Sequence, residues 1–271
     1  MTSPASRRKT ISDLKDMKRA GRKITALTAY DAPTARLLND AGIDVVLVGD
    51  SVANVKLGYP DTLPVTLEEM IHHARAAARG NAGALLVADM PFLTYEFDPK
   101  AAVRNVGRLM KEGGAQAVKV EGAGAILPSL RALIKANIPV MGHLGLTPQS
   151  VHRLGGYRVQ GRTPKDAARL LADARRLEAA GVFAIVLEAV PSALAKKITR
   201  VLRVPTIGIG AGPHTDGQIL VVDDLLGLTE KPRPRFVRAY AELRVASLRA
   251  VRAYGDDVRA GRFPGPAETY V

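Results

Sequence analysis

Four short apolar runs in this sequence each lead into a carboxylate. Val45-Val46-Leu47-Val48 is followed by Gly49, Asp50 and Ser51, and Leu85-Leu86-Val87-Ala88 ends in Asp89. Val118-Lys119-Val120 ends in Glu121, and Ile185-Val186-Leu187 ends in Glu188. Packing alone does not ask for an acid at each of these places. Asp50, Asp89 and Glu121, brought together, would raise one another's pKa and could not all stay ionised without a cation. A hard divalent ion with oxygen ligands, Mg²⁺ as the first choice, meets that need and keeps positions open for a substrate. Lys119 lies two residues before Glu121 and so faces the same side of an extended strand. Its ammonium suits a substrate carboxylate or a developing enolate oxygen; the alternative is a lysine that only neutralises the acids. His143, at the end of a fifth run, reads either as a substrate hydrogen-bonding group or as a buried histidine satisfied within the protein. Glu188 stands apart from the acid trio and is the candidate general base. Removing a proton next to a carbonyl needs such a base and an electrophile to hold the enolate.

The elements that must position these groups follow from the apolar periodicity. The run Asp44–Val48, three of its four apolar residues β-branched, reads as a strand buried on both faces of a parallel sheet. Further strands are expected at Ile24–Ala29, before Asp89, before Glu121, at Pro139–Met141, before Glu188, at Thr206–Ile209 and at Ile219–Val222. Helices are expected over 11–20, from Asp31 to Gly42, from the capping box Thr66-x-x-Glu69 to Gly80, and from Asp98-Pro99 to Gly113. Others follow over 125–136, from Thr163-Pro164-x-Asp166 to Gly181, and from Pro191 to Arg203. Val52–Val65 and Gly145–Gly161 read as loops. Eight strands mostly alternating with helices, with no break in composition, predict one (β/α)8 TIM barrel domain over 1–271. A doubly wound open sheet is the second choice. Acids at the carboxyl ends of such strands stand where α/β folds carry their chemistry.

The 271 residues include no cysteine, so disulfides and thiol chemistry are excluded and any metal must be held by oxygen or imidazole. No apolar run is long enough to span a bilayer, and the basic, proline-containing start lacks the apolar core of a signal peptide. A cytoplasmic enzyme away from membranes is expected. The formal charge of +13 is unevenly spread. Residues 1–23 carry eight Lys/Arg against two acids, and residues 231–262 carry nine against three. The body between them is almost neutral. Arginines interleaved with Val, Leu, Ala and Tyr over 236–259 predict a helix that docks one face and shows arginine outward, rather than a nucleic-acid surface.

The ordered motifs resemble a known family. They include Thr28-Ala29-Tyr30-Asp31, Val48-Gly49-Asp50-Ser51, Thr62-Leu63-Pro64-Val65-Thr66 and Ala88-Asp89-Met90-Pro91-Phe92. They continue with Val118-Lys119-Val120-Glu121-Gly122, Gly142-His143-Leu144-Gly145-Leu146-Thr147-Pro148-Gln149-Ser150, Gly155–Gly161, Leu187-Glu188 and Gly208–Gly212. From about Thr10 to Pro264 the chain resembles the ketopantoate hydroxymethyltransferases. The resemblance implies a Mg²⁺-dependent (β/α)8 barrel, one ion per subunit, that transfers a one-carbon unit from 5,10-methylenetetrahydrofolate to 3-methyl-2-oxobutanoate. It implies Asp50 and Asp89 as ligands to the metal that also contact the oxo acid, with Glu121 completing the metal site directly or through water. Ser51, Lys119 and His143 would hold the substrate, and Glu188 would accept the proton. It also implies a homodecamer built as a pentamer of dimers. The nearest rival, the isocitrate lyase and phosphoenolpyruvate mutase group, shares the barrel and a metal-bound 2-oxo acid. Its lyases use a cysteine as acid, which this chain lacks.

Overall fold

The computed structural model describes residues 7–230 and 232–270; residues 1–6, Lys231 and Val271 lie outside that description. Eight parallel strands close into a barrel in sequence order: β1 (Ile24–Thr28), β2 (Val45–Val48), β3 (Leu85–Asp89), β4 (Ala117–Glu121), β5 (Val140–Gly145), β6 (Ala184–Glu188), β7 (Thr206–Ile209) and β8 (Gly217–Leu220). The helices are α1 (Ile11–Arg19), α2 (Ala32–Asp40), α3 (Val52–Val55), α4 (Leu67–Gly80), α5 (Pro99–Gly113) and α6 (Leu127–Lys135), then α7 (Val151–Leu154), α8 (Pro164–Ala180), α9 (Ser192–Val201), α10 (Val222–Leu225) and α11 (Leu243–Arg259). The chain divides into two compact units, one ending at Val221 and one running from Val222. The barrel lies in the first.

The barrel interior is one buried cluster. Ile24, Ala26, Val45, Leu47, Leu85, Val87, Ala117, Met141, Val186, Ile207 and Ile219 fill it, and Leu14 and Met17 of α1 join the same cluster. Burying each of the larger aliphatic side chains contributes about 1.5–3 kcal/mol. Strand side chains alternate, so the residues two and four positions along share the interior face. Leu85 and Val87 are followed on that face by Asp89, Ala117 by Lys119 and Glu121, Met141 by His143, and Val186 by Glu188. The apolar floor therefore becomes polar toward the carboxyl ends of the strands.

Local signals act as expected at the helix starts. Thr66 and Glu69 form the reciprocal capping box of α4, Asp98 caps α5, and the Thr163 hydroxyl accepts from Asp166 N–H at the start of α8. Each such cap contributes about 1 kcal/mol.

Several boundaries differ from expectation. Strand β5 runs on to Gly145, so His143 lies within the strand and pairs with Glu121 in register. Strand β8 starts at Gly217, two residues early, because Gly217 pairs with both Ile24 and Ile207; Val222 already begins α10. The predicted loops hold short helices, α3 in one and α7 in the other. No helix lies between β7 and β8.

In the second unit the helix expected over 236–259 begins only at Leu243. Tyr240, Leu243 and Arg244 donate their N–H groups to the carbonyls of Leu225, Leu226 and Gly227, so the preceding segment runs alongside 225–227 instead of coiling. No residue of α11 is buried. Among the described residues no helix is long and apolar enough to cross a membrane.

Candidate active site at the carboxyl end of the barrel

Five of the expected residues reach the mouth directly from strands β3 to β6. Asp50 arrives differently: it lies two residues past β2, beyond a turn at Gly49. A Cβ at Gly49 would stand 2.8 Å from Ser51 Oγ, so glycine keeps this turn tight. The turn lets Asp50 N–H donate to Asp89 Oδ2 at 2.9 Å, which joins the two acids. Ser51 Oγ meets the Tyr30 hydroxyl at 2.8 Å.

Charge in the site is dense and buried. Lys119 Nζ lies 3.0 Å from Asp89 Oδ1, with both side chains almost wholly enclosed. That ion pair is what engages Asp89 Oδ1, while Oδ2 accepts from Asp50 N–H. Burial pushes the Asp50 carboxyl up to about 6, helped by Glu121 and opposed by Lys119 and Gln149. Burial also pushes Asp89 up to about 6, against the pull of Lys119. For Lys119, burial works against the charge, but Asp89, Glu121 and Asp50 outweigh it and hold the ammonium above its ordinary range.

His143 joins two acids. Its Nδ1 lies 3.1 Å from Glu121 Oε1 and its Nε2 lies 3.2 Å from Glu188 Oε2. Burial and the nearby Lys119 oppose its charge, yet the bonds to Glu121 and Glu188 raise its pKa to about 9. That shift favours the imidazolium, in which Nδ1–H donates to Glu121 rather than accepting from Lys119, whose Nζ is 3.2 Å away.

Glu188 ends β6 beside the end of β5. Leu146 N–H donates to the Glu188 carbonyl at 2.8 Å. A Cβ at Gly145 would sit 2.1 Å from that carbonyl oxygen, and Gly145 has φ of 97°, so only glycine fits here. Ala189 follows in the left-handed region with φ of 47°. Its N–H donates to Ile209 O and its carbonyl accepts from Gln160 N–H, which hold this strained residue in place.

Two functional candidates were not singled out by sequence spacing. Gln149 donates from Nε2 to Asp50 Oδ2 at 2.9 Å and from its backbone N–H to Glu121 Oε2 at 3.0 Å. The Tyr95 hydroxyl donates to Gln149 Oε1 at 3.0 Å. Gln149 does lie in the quoted Gly142–Ser150 motif; Tyr95 carries no local signal. His73 of α4 bonds Tyr30 O through Nδ1 at 2.8 Å.

Among the described residues no three His, Asp or Glu side chains close on one point as a metal cage. Both Glu121 oxygens are already engaged, Oε1 by His143 and Oε2 by Gln149. Asp50 and Asp89 remain as an adjacent carboxylate pair. Chemically, the mouth combines hard oxygen donors, two buried cations and a less enclosed carboxylate at Glu188. Such a set can bind an anionic oxo acid, stabilise negative charge developing on its oxygen, and remove a proton.

Known proteins resemble this chain in fold and in sequence. In the solved phosphonopyruvate hydrolase complexed with oxalate and Mg²⁺, the matched fold covers 97% of this chain and 92% of that one, with a TM-score of 0.63 and 16% identity. A 2,3-dimethylmalate lyase matches with a TM-score of 0.61 at 16% identity, over 96% of this chain and 89% of that one. At that identity the likeness concerns the fold alone. The sequence comparisons are much closer. The 3-methyl-2-oxobutanoate hydroxymethyltransferase of Moorella thermoacetica is 55% identical over 263 residues, 97% of this chain and 98% of that protein. The protein of the same name from Geotalea daltonii is 54% identical over 261 residues, covering 96% and 98%. The ketopantoate hydroxymethyltransferase family model matches residues 8–266, and the chain belongs to that family.

Proposed function

We propose that this protein transfers a hydroxymethyl group from 5,10-methylenetetrahydrofolate to 3-methyl-2-oxobutanoate, giving ketopantoate for pantothenate synthesis. One observation carries the residue assignment: a carboxylate at the end of β6, Glu188, stands 3.2 Å from an imidazolium and faces the same interior as the Asp50–Asp89 pair. In this reading Glu188 takes the proton from C3 of the oxo acid. The C–H electron pair moves into the C2–C3 bond and negative charge gathers on the 2-oxo oxygen. Lys119 and His143, both cationic, provide the electrostatic setting for that charge and for the substrate carboxylate. The enolate carbon then attacks the folate methylene carbon as one of that carbon's two bonds to folate nitrogen breaks. The electron pair stays on the nitrogen, which takes up a proton. Water then forms the C–O bond of the hydroxymethyl group as the second C–N bond breaks, and the proton released by the water goes to that nitrogen. Ser51, bonded to Tyr30, would hold the oxo acid.

The donor set fits a hard divalent ion. Asp50 and Asp89 are adjacent buried carboxylates joined by the Asp50 N–H, and Mg²⁺ commonly takes only one or two protein carboxylates. Asp50 and Asp89 would hold it, with Glu121 linked to Asp50 through Gln149. Mg²⁺ bound there would draw electron density from the 2-oxo group and acidify the C3 proton. The test is loss of the C3 proton signal of 3-methyl-2-oxobutanoate in deuterated water, with and without Mg²⁺ and before any folate is added. Metal-dependent exchange is expected. Its absence, together with no ketopantoate on adding methylenetetrahydrofolate, would sink the reading.

Assembly into a homodecamer, a pentamer of dimers, and a cytoplasmic location complete the proposal. Val245, Leu248, Val251 and Tyr254 of α11 are all exposed in the single chain, which supports their being covered by another copy. Light scattering is expected to give the mass of ten chains; a monomer would refute this assembly.

A further inference from the structure

Gln149 bonds to more of the site than any other uncharged residue described above. Its backbone N–H donates to Glu121 Oε2 at 3.0 Å, and Nε2 donates to Asp50 Oδ2 at 2.9 Å and to the Met90 carbonyl at 3.0 Å. Its Oε1 accepts from the Tyr95 hydroxyl at 3.0 Å. The direction of this chain of bonds is set by proton counting. Tyr95 has one hydroxyl proton, and its oxygen already accepts from the Glu121 backbone N–H at 3.0 Å. The proton must therefore go to Gln149, and the amide must present oxygen to Tyr95 and nitrogen to Asp50. Turning the amide over would set Oε1 against the Asp50 carboxylate and the Met90 carbonyl, two acceptors facing an acceptor. Every polar atom of the Gln149 side chain is used, and the residue is only 7% exposed.

The network links three strand ends. Gln149 comes from the segment after β5 and reaches Asp50 beyond β2 and Glu121 on β4. Asp50 in turn donates its N–H to Asp89 Oδ2 at the end of β3. Gln149 thus fixes one oxygen of Asp50, and the other, Oδ1, is engaged by no other described residue. We propose that Gln149 is a positioning residue, locked by Tyr95, that sets the rotation of the Asp50 carboxylate and ties it to Glu121 so that Asp50 Oδ1 is presented to a hard cation. This rests on the function proposed above only in naming the cation.

Gln149→Leu keeps the side chain's bulk and the backbone bond to Glu121 but removes every amide contact. Titration calorimetry of the chelator-treated full chain with Mg²⁺ alone is expected to show at least tenfold weaker binding in this variant. At saturating Mg²⁺ the KM for 3-methyl-2-oxobutanoate is expected to rise about tenfold with kcat within threefold, because Glu188 is untouched. A role in stability alone would lower the melting temperature and leave both values unchanged. Wild-type Mg²⁺ affinity in a folded Gln149→Leu protein overturns the proposal. Should that variant fail to fold, Tyr95→Phe decides, since it keeps the ring and removes only the locking hydroxyl. Two- to fivefold weaker Mg²⁺ binding supports the proposal, and unchanged binding overturns it. If the wild-type protein neither binds Mg²⁺ nor forms ketopantoate, the functional reading falls by itself. A crystal structure of the metal-free variant then settles the positioning role: a turned Asp50 carboxylate supports it, and the wild-type rotamer refutes it.

Discussion

Glu188→Gln is expected to lower turnover at least a thousandfold while leaving Mg²⁺ and oxo-acid binding within a few-fold of wild type. Glutamine has the same shape as glutamate, so the end of β6 and the packing against Gly145 should be preserved. Its amide, however, has no lone pair basic enough to take a carbon-bound proton, and general-base removal typically costs about 10²–10⁴ in rate. The upper part of that range is expected because the other carboxylates are committed, Asp50 to the ion it would hold. Glu121 is engaged on both oxygens, and Asp89 faces Lys119. Glu121 and Glu188 raise the pKa of His143 to about 9, which disfavours the neutral ring that a base would need. The measurement is proton exchange at C3 of 3-methyl-2-oxobutanoate in deuterated water, followed by calorimetry for binding. Undiminished exchange in the glutamine variant would remove Glu188 from the role. Loss of exchange together with loss of binding would instead mark it as a substrate contact.

How far this site is legible from sequence depends on whether a residue's position follows from local geometry. Asp89, Lys119, Glu121, His143 and Glu188 lie on strands whose interior face is set by a period of two. The residue two positions earlier, apolar for all of them but Glu121, which follows Lys119, therefore predicts where each side chain goes. The capping box at Thr66 and Glu69 is equally local, and so is the proline-led start of α8. Asp50 is less regular, because the turn at Gly49 breaks the alternation and only its bond to Asp89 shows where it ends up. Gln149 and Tyr95 owe their roles to contacts 99 and 54 residues away in sequence, with Asp50 and between the two of them respectively. Nothing in their immediate neighbours encodes those contacts. The same reason explains the errors in the elements. Strand β8 is set by pairing with β1 and β7, and the late start of α11 by hydrogen bonds to 225–227, and both outweigh local apolar pattern.

Asp50→Asn is expected to stabilise the metal-free protein at neutral pH while weakening Mg²⁺ binding at least a hundredfold. The Asp50 carboxyl is pushed up to about 6 from an ordinary value of 3.8, by burial first and then by Glu121. Well below pH 3.8 the acid is protonated in both folded and unfolded chains and contributes no pH-dependent difference. As pH rises from 4 to 6 the unfolded chain gives up this proton more readily than the folded one, so folding loses stability across that window. Above pH 6 the full cost remains, about 3 kcal/mol for this difference in pKa. Asparagine carries no such charge, and its side-chain oxygen can still accept from Gln149 Nε2. In chelator at pH 7.5 the variant should therefore melt several degrees above wild type, and at pH 4.5 the gap should largely close. Adding Mg²⁺ at pH 7.5 should raise the wild-type melting temperature and leave the variant's unchanged, because a ligand that binds only the folded state stabilises it. A variant that melts below wild type in chelator at pH 7.5 would show that the Asp50 charge supports the fold. The opposite result would mean that this carboxylate is kept at a cost to stability, for the ion it holds.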